Sequence, residues 1–143
     1  MTAGSWTFTN SARKYLVTGV IDLASSDFKT ALYTSSTNLA ASSDEYSGVT
    51  NQVASTGLGY TEGGVSVTFV LTGTTLLTAD ISTDPTYVAS VGNITAKYAL
   101  IYSPTSSKNL CYCLMDSTSV DVTASSGITL VIQTSSSGVF TLS

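Results

Sequence analysis

"TGLGYTEGGVSVTF", residues 56–69, sets four glycines within nine positions and then runs into alternating valines. Whether this is a phosphate cradle or a corner decides between a nucleotide-binding α/β chain and an all-β one. A dinucleotide fingerprint places GxGxxG between a strand and a helix, so that the helix N-terminus faces the pyrophosphate. Gly57 and Gly59 fit the first two positions, but Glu62 stands in the third and Gly63-Gly64 follow it. Downstream, Val65, Val67, Phe69 and Leu71 recur with a period of two and share one face, with Ser66, Thr68 and Val70 opposite. That is a strand, and it offers no helix dipole to a phosphate. No Lys-Ser/Thr pair follows either, so the P-loop pattern fails. The stretch reads as a corner feeding a β-strand.

Working outward, most of the chain carries the same period. "FKTALYT" (28–34) alternates, while "ITAKYALIYS" (94–103) and "NLCYCLMD" (109–116) are apolar on both faces and belong in the middle of a sheet. Further strands are expected around 74–82 and 86–91, and "GITLVIQTSSSGVFTLS" (127–143) reads as a closing hairpin with "TSSSG" as its turn. The weakly periodic "SSTNLAASSDEYSG" (35–48) reads as a long exposed loop. One helix is legible, over 10–18: Thr9 or Asn10 caps it, Ala12, Tyr15 and Leu16 share a face, and Gly19 stops it. Its Arg13 and Lys14 form a solvated face or a partner-docking one. Together these predict one domain over 1–143. It comprises an N-terminal arm (1–9), the helix (10–18) and an all-β, jelly-roll-like β-sandwich body (20–143).

Composition narrows the function. Charged residues make up 10% of the chain against roughly 25% in ordinary domains, while Ser and Thr fill 48 of 143 positions. The outward faces are therefore written in hydroxyls. The net charge is −4, and Arg13, Lys14, Lys29, Lys97 and Lys108 are too few and too scattered to neutralise a phosphate backbone, so no nucleic-acid partner is expected. No run of 18 apolar residues occurs and no membrane partner is expected. The opening "MTAGSWTFTNSARKY" lacks the apolar core of a signal peptide, which predicts folding in a cytosol with Cys111 and Cys113 as reduced thiols.

Catalytic chemistry finds little to stand on. Without histidine there is no Ser-His or Cys-His pair, and Cys111-x-Cys113 supplies two zinc ligands where four are needed. Asp44, Glu45, Glu62, Asp80, Asp84, Asp116 and Asp121 sit mostly beside turns, where local hydrogen bonding explains them, and none follows calcium-loop spacing. The expectation is a non-enzyme with no cofactor and no metal. The sequon Asn93-Ile94-Thr95 is unremarkable in so Thr-rich a chain.

Two features point to partners. "SWTFT" holds the only Trp, with Phe8 two residues on; it is either a first strand folded on its own core or an arm whose Trp6 and Phe8 anchor on a neighbour. Solitary β proteins defend their sheet edges with Lys, Pro or inward charges, and this chain has four Lys and two Pro for many strands. Such sparse protection predicts a permanent homo-oligomer, for example a trimer.

In their order, "SARKYLVTGVIDLASSDFKTALYTSS", "GLGYTEGGVSV", "ITAKYALIYS", "LCYCLMD" and "SSGITLVIQTSSSGVFTLS" resemble a family of small structural proteins of tailed-bacteriophage virions. The likeness spans nearly the whole chain, and its motifs are structural. It implies a virion protein assembled in the host cytoplasm, most simply a capsid decoration (cement) protein bridging major capsid subunits. The alternative it leaves is a neck or tail adaptor, or a glycan-contacting tail-fibre component, for which Tyr33, Tyr46, Tyr60, Tyr87 and Tyr102 would supply the aromatic rings.

Overall fold

In the computed structural model, which describes residues 3–25 and 27–143, the glycine-rich stretch turns its corner because backbone meets backbone there. Gly64 has φ +77, and a Cβ placed on it would lie 1.8 Å from the Thr30 carbonyl oxygen. Gly59 has φ +84, and its Cβ would lie 2.1 Å from the Val88 carbonyl oxygen. No other residue type fits either contact.

The chain runs β1 (Thr7–Phe8), α1 (Ala12–Val17), β2 (Phe28–Tyr33), a 3-10 turn (Tyr46–Gly48), β3 (Val65–Val67), β4 (Phe69–Thr72), β5 (Leu77–Ile81), β6 (Thr86–Val88), β7 (Ile94–Ala96), β8 (Tyr98–Ser103), β9 (Lys108–Leu114), β10 (Val122–Ala124), β11 (Thr129–Val131) and β12 (Phe140–Leu142). The fold is all-β with one short helix, and every strand pair is antiparallel. A five-stranded sheet, ordered β1-β9-β8-β2-β3, is the spine. Its inner face packs against three small sheets, β12-β5-β4, β11-β6 and β10-β7. A phenylalanine cluster ties the layers at one end: Phe28 meets Phe69 edge-on at 5.0 Å, and Phe69 and Phe8 both reach Phe140, at 5.8 and 4.6 Å.

Two continuous β patterns turn out to be pairs of strands. The run 64–72 breaks at Thr68, so β3 pairs with β2 in the spine while β4 pairs with β5 in the second layer. Likewise 94–103 breaks at Lys97, with β7 on β10 and β8 between β2 and β9. Period-2 alternation continues through both corners, so it could not mark the change of sheet. Leu71, expected on the same face as Phe69, lies past that corner and is 37% exposed where Phe69 is buried.

Three further expectations are refined or corrected. The segment 35–48 is a largely exposed loop, but it is anchored: Leu39 is buried and Tyr46 stacks on Tyr102, so it covers the outer face of the spine. Its polar side chains hold it there, with the Thr37 hydroxyl donating to the Thr50 carbonyl and the Asn38 amide to the Gly48 carbonyl. This cover explains why Ala31 and Tyr33 of β2 and Leu100 and Tyr102 of β8 are buried on the face turned away from the inner core. The closing hairpin does not form; the turn closes through Ser135 and Gly138, but β11 pairs with β6 and β12 with β5. The helix is capped at Ser11, without a side-chain bond, because the Thr9 hydroxyl is drawn inward to the Asn109 carbonyl, 3.0 Å away. At its other end Gly19, φ +73, closes a Schellman turn in which the Val20 N–H reaches the Tyr15 carbonyl. No helix among the described residues is long and apolar enough to cross a membrane.

Candidate functional site

Trp6 and Phe8 fold onto their own chain. β1 adds to β9 as an edge strand, with Thr7 opposite Tyr112 and Phe8 opposite Cys111, and the Gly4 N–H bonds the Leu114 carbonyl. Both aromatics are half-buried: Phe8 packs against Phe140 under the Arg13 guanidinium, and Trp6 touches the two inner core clusters. Met1 and Thr2, the first residues of the expected arm, lie outside the described residues. Trp6 also lines a cleft of about 230 Å³, bounded by Ala3–Trp6 on one side and by residues 133–141 on the other.

The tyrosines do not form a surface platform. Tyr33, Tyr60, Tyr87 and Tyr102 are buried, and only Tyr46 of the five is half-exposed. All but Tyr33 serve as hydrogen-bonding groups in or against the core. The Tyr60 oxygen accepts from the Leu32 N–H at 3.0 Å and from the Gln52 amide at 2.6 Å; Tyr46 donates to Gln52, Tyr102 to the Gly63 carbonyl, and Tyr87 to the Thr30 carbonyl. Burial pushes the Tyr60 phenol up to about 12 and raises Tyr33, Tyr87 and Tyr102 further. The Tyr33 hydroxyl is buried with no protein partner among the described residues. Two substitutions should therefore behave oppositely. Tyr60→Phe strands the Leu32 N–H in the middle of the spine and should cost about 1–3 kcal/mol in urea unfolding, while Tyr33→Phe removes an unpaired group and should be neutral or stabilising. Equal losses for both would show that the Tyr60 bonds carry no special weight.

Of the carboxylates, Asp22 and, as expected, Asp116 bond within their own turns, while Asp84 and Asp44 are engaged by residues distant in sequence. Asp22 accepts from the Ala24 N–H, Asp116 from the Thr118 N–H, and Asp84 from the Thr134 N–H and hydroxyl. Asp44 accepts from the Tyr15 hydroxyl at 2.6 Å; that bond, with Lys108 at 3.9 Å, holds its carboxyl below the usual range. Lys108 pairs with Glu45 as well. Among the described residues no group of three His, Cys, Asp or Glu side chains is placed to hold a metal. Cys111 and Cys113 are buried on the inner face of β9, and burial raises both thiols, Cys113 to about 12, so they are unreactive core residues.

The undefended strand edge that the sparse charge suggested falls at β4, last in its sheet, where Val70 and Leu71 are 45% and 37% exposed. Leu71 also lines a largely apolar cleft with Leu16, Ile21, Leu23 and Leu142, which Asp22 borders as well. A signal for it existed: residues 65–79 carry no charge. Gln133, which lines the cleft beside Trp6, did escape the sequence reading, because nothing local distinguishes it. Comparison of the chain with protein-family models, with curated proteins and with solved structures finds no match. Function is therefore argued from these surfaces.

Proposed function

We propose that the chain is a non-enzymatic structural protein of a tailed-bacteriophage virion, working as a homo-oligomer that decorates the capsid and bridges major capsid subunits. The observation that carries this reading is the bare edge of β4. A strand edge exposes unpaired N–H and C=O groups, and an isolated protein guards it with charge or bulges. Here the edge is uncharged, shows Val70 and Leu71, and adjoins a largely apolar cleft with Asp22 as its one charged lining residue. A neighbouring copy or shell subunit that covered it would satisfy the backbone and bury the apolar groups together, and many copies would add such contacts over a lattice. The phage resemblance supplies the setting. The neck or tail alternative shares this edge logic, but glycan contact through Tyr33, Tyr60, Tyr87 and Tyr102 has no accessible rings to use.

Native mass spectrometry tests the assembly directly. The wild-type chain should remain oligomeric at dilutions where Leu71→Lys, which places a charge on the free edge, is monomeric with an unchanged melting temperature. A wild-type chain that is monomeric when dilute would overturn the proposal. Particles lacking the protein should inactivate faster on heating than complete ones; equal inactivation would remove the cement role while leaving the oligomer.

A further inference from the structure

Among the described residues, the cleft beside Trp6 brings together an aromatic ring, unengaged polar groups and a lining without charge. Its walls come from the edges of different sheets, since β1 ends the spine and β12 ends its own sheet. Trp6 is wedged against both inner core clusters and is therefore held in place rather than swinging free. Among the described residues its indole N–H has no acceptor, and the exposed amide of Gln133 makes no hydrogen bond. Ser5, Ser137 and Thr141 add hydroxyls, and Val139 and Phe140 are buried beneath. No Asp, Glu, Lys or Arg lines the cleft. Other clefts differ: one carries Glu62, one Asp44 and Glu45, the largely apolar one at Leu71 carries Asp22, and an uncharged one that shares Gln133 has no aromatic ring.

That chemistry selects its ligand. An anion or metal ion would enter without a counter-charge and lose hydration for nothing. A purely apolar molecule would cover the amide and hydroxyls and leave them unpaired. A pyranose satisfies both demands, because it sets a C–H face against an indole and its rim of hydroxyls against groups that donate and accept, as an amide does. The volume suits one ring. The geometry points to this cleft as a binding site for a neutral sugar residue, with Trp6 as the platform and Gln133 as the principal hydrogen-bonding side chain. The inference is independent of the assembly reading, because it concerns the isolated chain.

The single Trp makes the test sharp, since a 15N-labelled sample gives one indole N–H resonance. Methyl glucoside, methyl galactoside, methyl mannoside and N-acetylglucosamine are titrated in turn, with glycerol as the control. At least one sugar should move that resonance saturably, at roughly millimolar affinity for so small a contact. Glycerol should not. Gln133→Ala, an exposed site whose loss leaves the fold intact, should weaken binding about tenfold. The assignment is overturned if no sugar moves the resonance saturably, if glycerol moves it equally, or if Gln133→Ala binds like wild type. An uncharged Ser/Thr-rich peptide that moves it where sugars do not would assign the cleft to strand addition instead, and would equally overturn the sugar site.

Discussion

Gly64→Ala should lose more stability than any other single methyl addition in the chain, more than about 3 kcal/mol, and should leave little folded protein at 37 °C. The added Cβ would sit 1.8 Å from the Thr30 oxygen, 2.5 Å from its carbonyl carbon and 2.8 Å from the Ala31 Cα. All three atoms belong to the backbone of β2, which is paired on both sides, to β8 and to β3. No side chain can swing away, so either the β2–β3 ladder opens or the φ of +77 is abandoned. Alanine in that left-handed region costs about 1–2 kcal/mol before any clash is counted. Gly48→Ala is the control: it meets nothing within 4 Å and should change stability by only a few tenths of a kcal/mol. Urea unfolding monitored by far-UV circular dichroism measures both. A Gly64→Ala chain as stable as Gly48→Ala would mean that the close approach of residue 64 to β2 is not what fixes the corner.

The same glycines show how far the sequence could be read. Strand periodicity is a property of consecutive residues, so β2, β8 and β9 were legible from Phe28, Leu100 and Cys111 and their alternating neighbours. The corner at 56–64 was legible because its failure as a phosphate loop is local as well. What could not be read is whatever depends on residues distant in sequence. Thr68 and Lys97 pass the chain from one layer to the other without interrupting the alternation on either side. Leu39 is buried and Tyr46 half-covered because the spine lies beneath them, and nothing in "SSTNLAASSDEYSG" announces that surface. Tyrosines are amphipathic, so their number suggested a platform, while their use as buried hydrogen-bond carriers follows from partners such as Gln52 and Gly63. Trp6 was singled out from the start; that it shares a cleft with Gln133 required the return of the chain more than 120 residues later.

Raising the pH should unfold the protein abruptly between about pH 10 and 12, and the tyrosines make the effect large. Tyr33, Tyr60, Tyr87 and Tyr102 are buried, and each has its phenol raised above the ordinary value of 10 by burial. Above pH 10 the unfolded chain releases these protons while the folded chain retains them, so the unfolded state binds fewer and stability falls with every step of pH. Four phenols together give a slope of up to about 5 kcal/mol per pH unit. Against a total stability of about 5–15 kcal/mol, that slope exhausts the fold before or near the value of about 12 reached by Tyr60 in the native state. Below pH 10 all four are protonated in both states, and the contribution is fully present. Absorbance at the phenolate wavelength should therefore rise in one steep step that coincides with loss of far-UV circular dichroism, and Tyr60→Phe should start that step at lower pH because it begins from lower stability. A gradual phenolate titration centred on pH 10 with the dichroism retained would mean that the rings reach solvent in the folded protein. The sealed core between the spine and its covering segment would then be wrong, and an accessible tyrosine surface would again be open to a ligand.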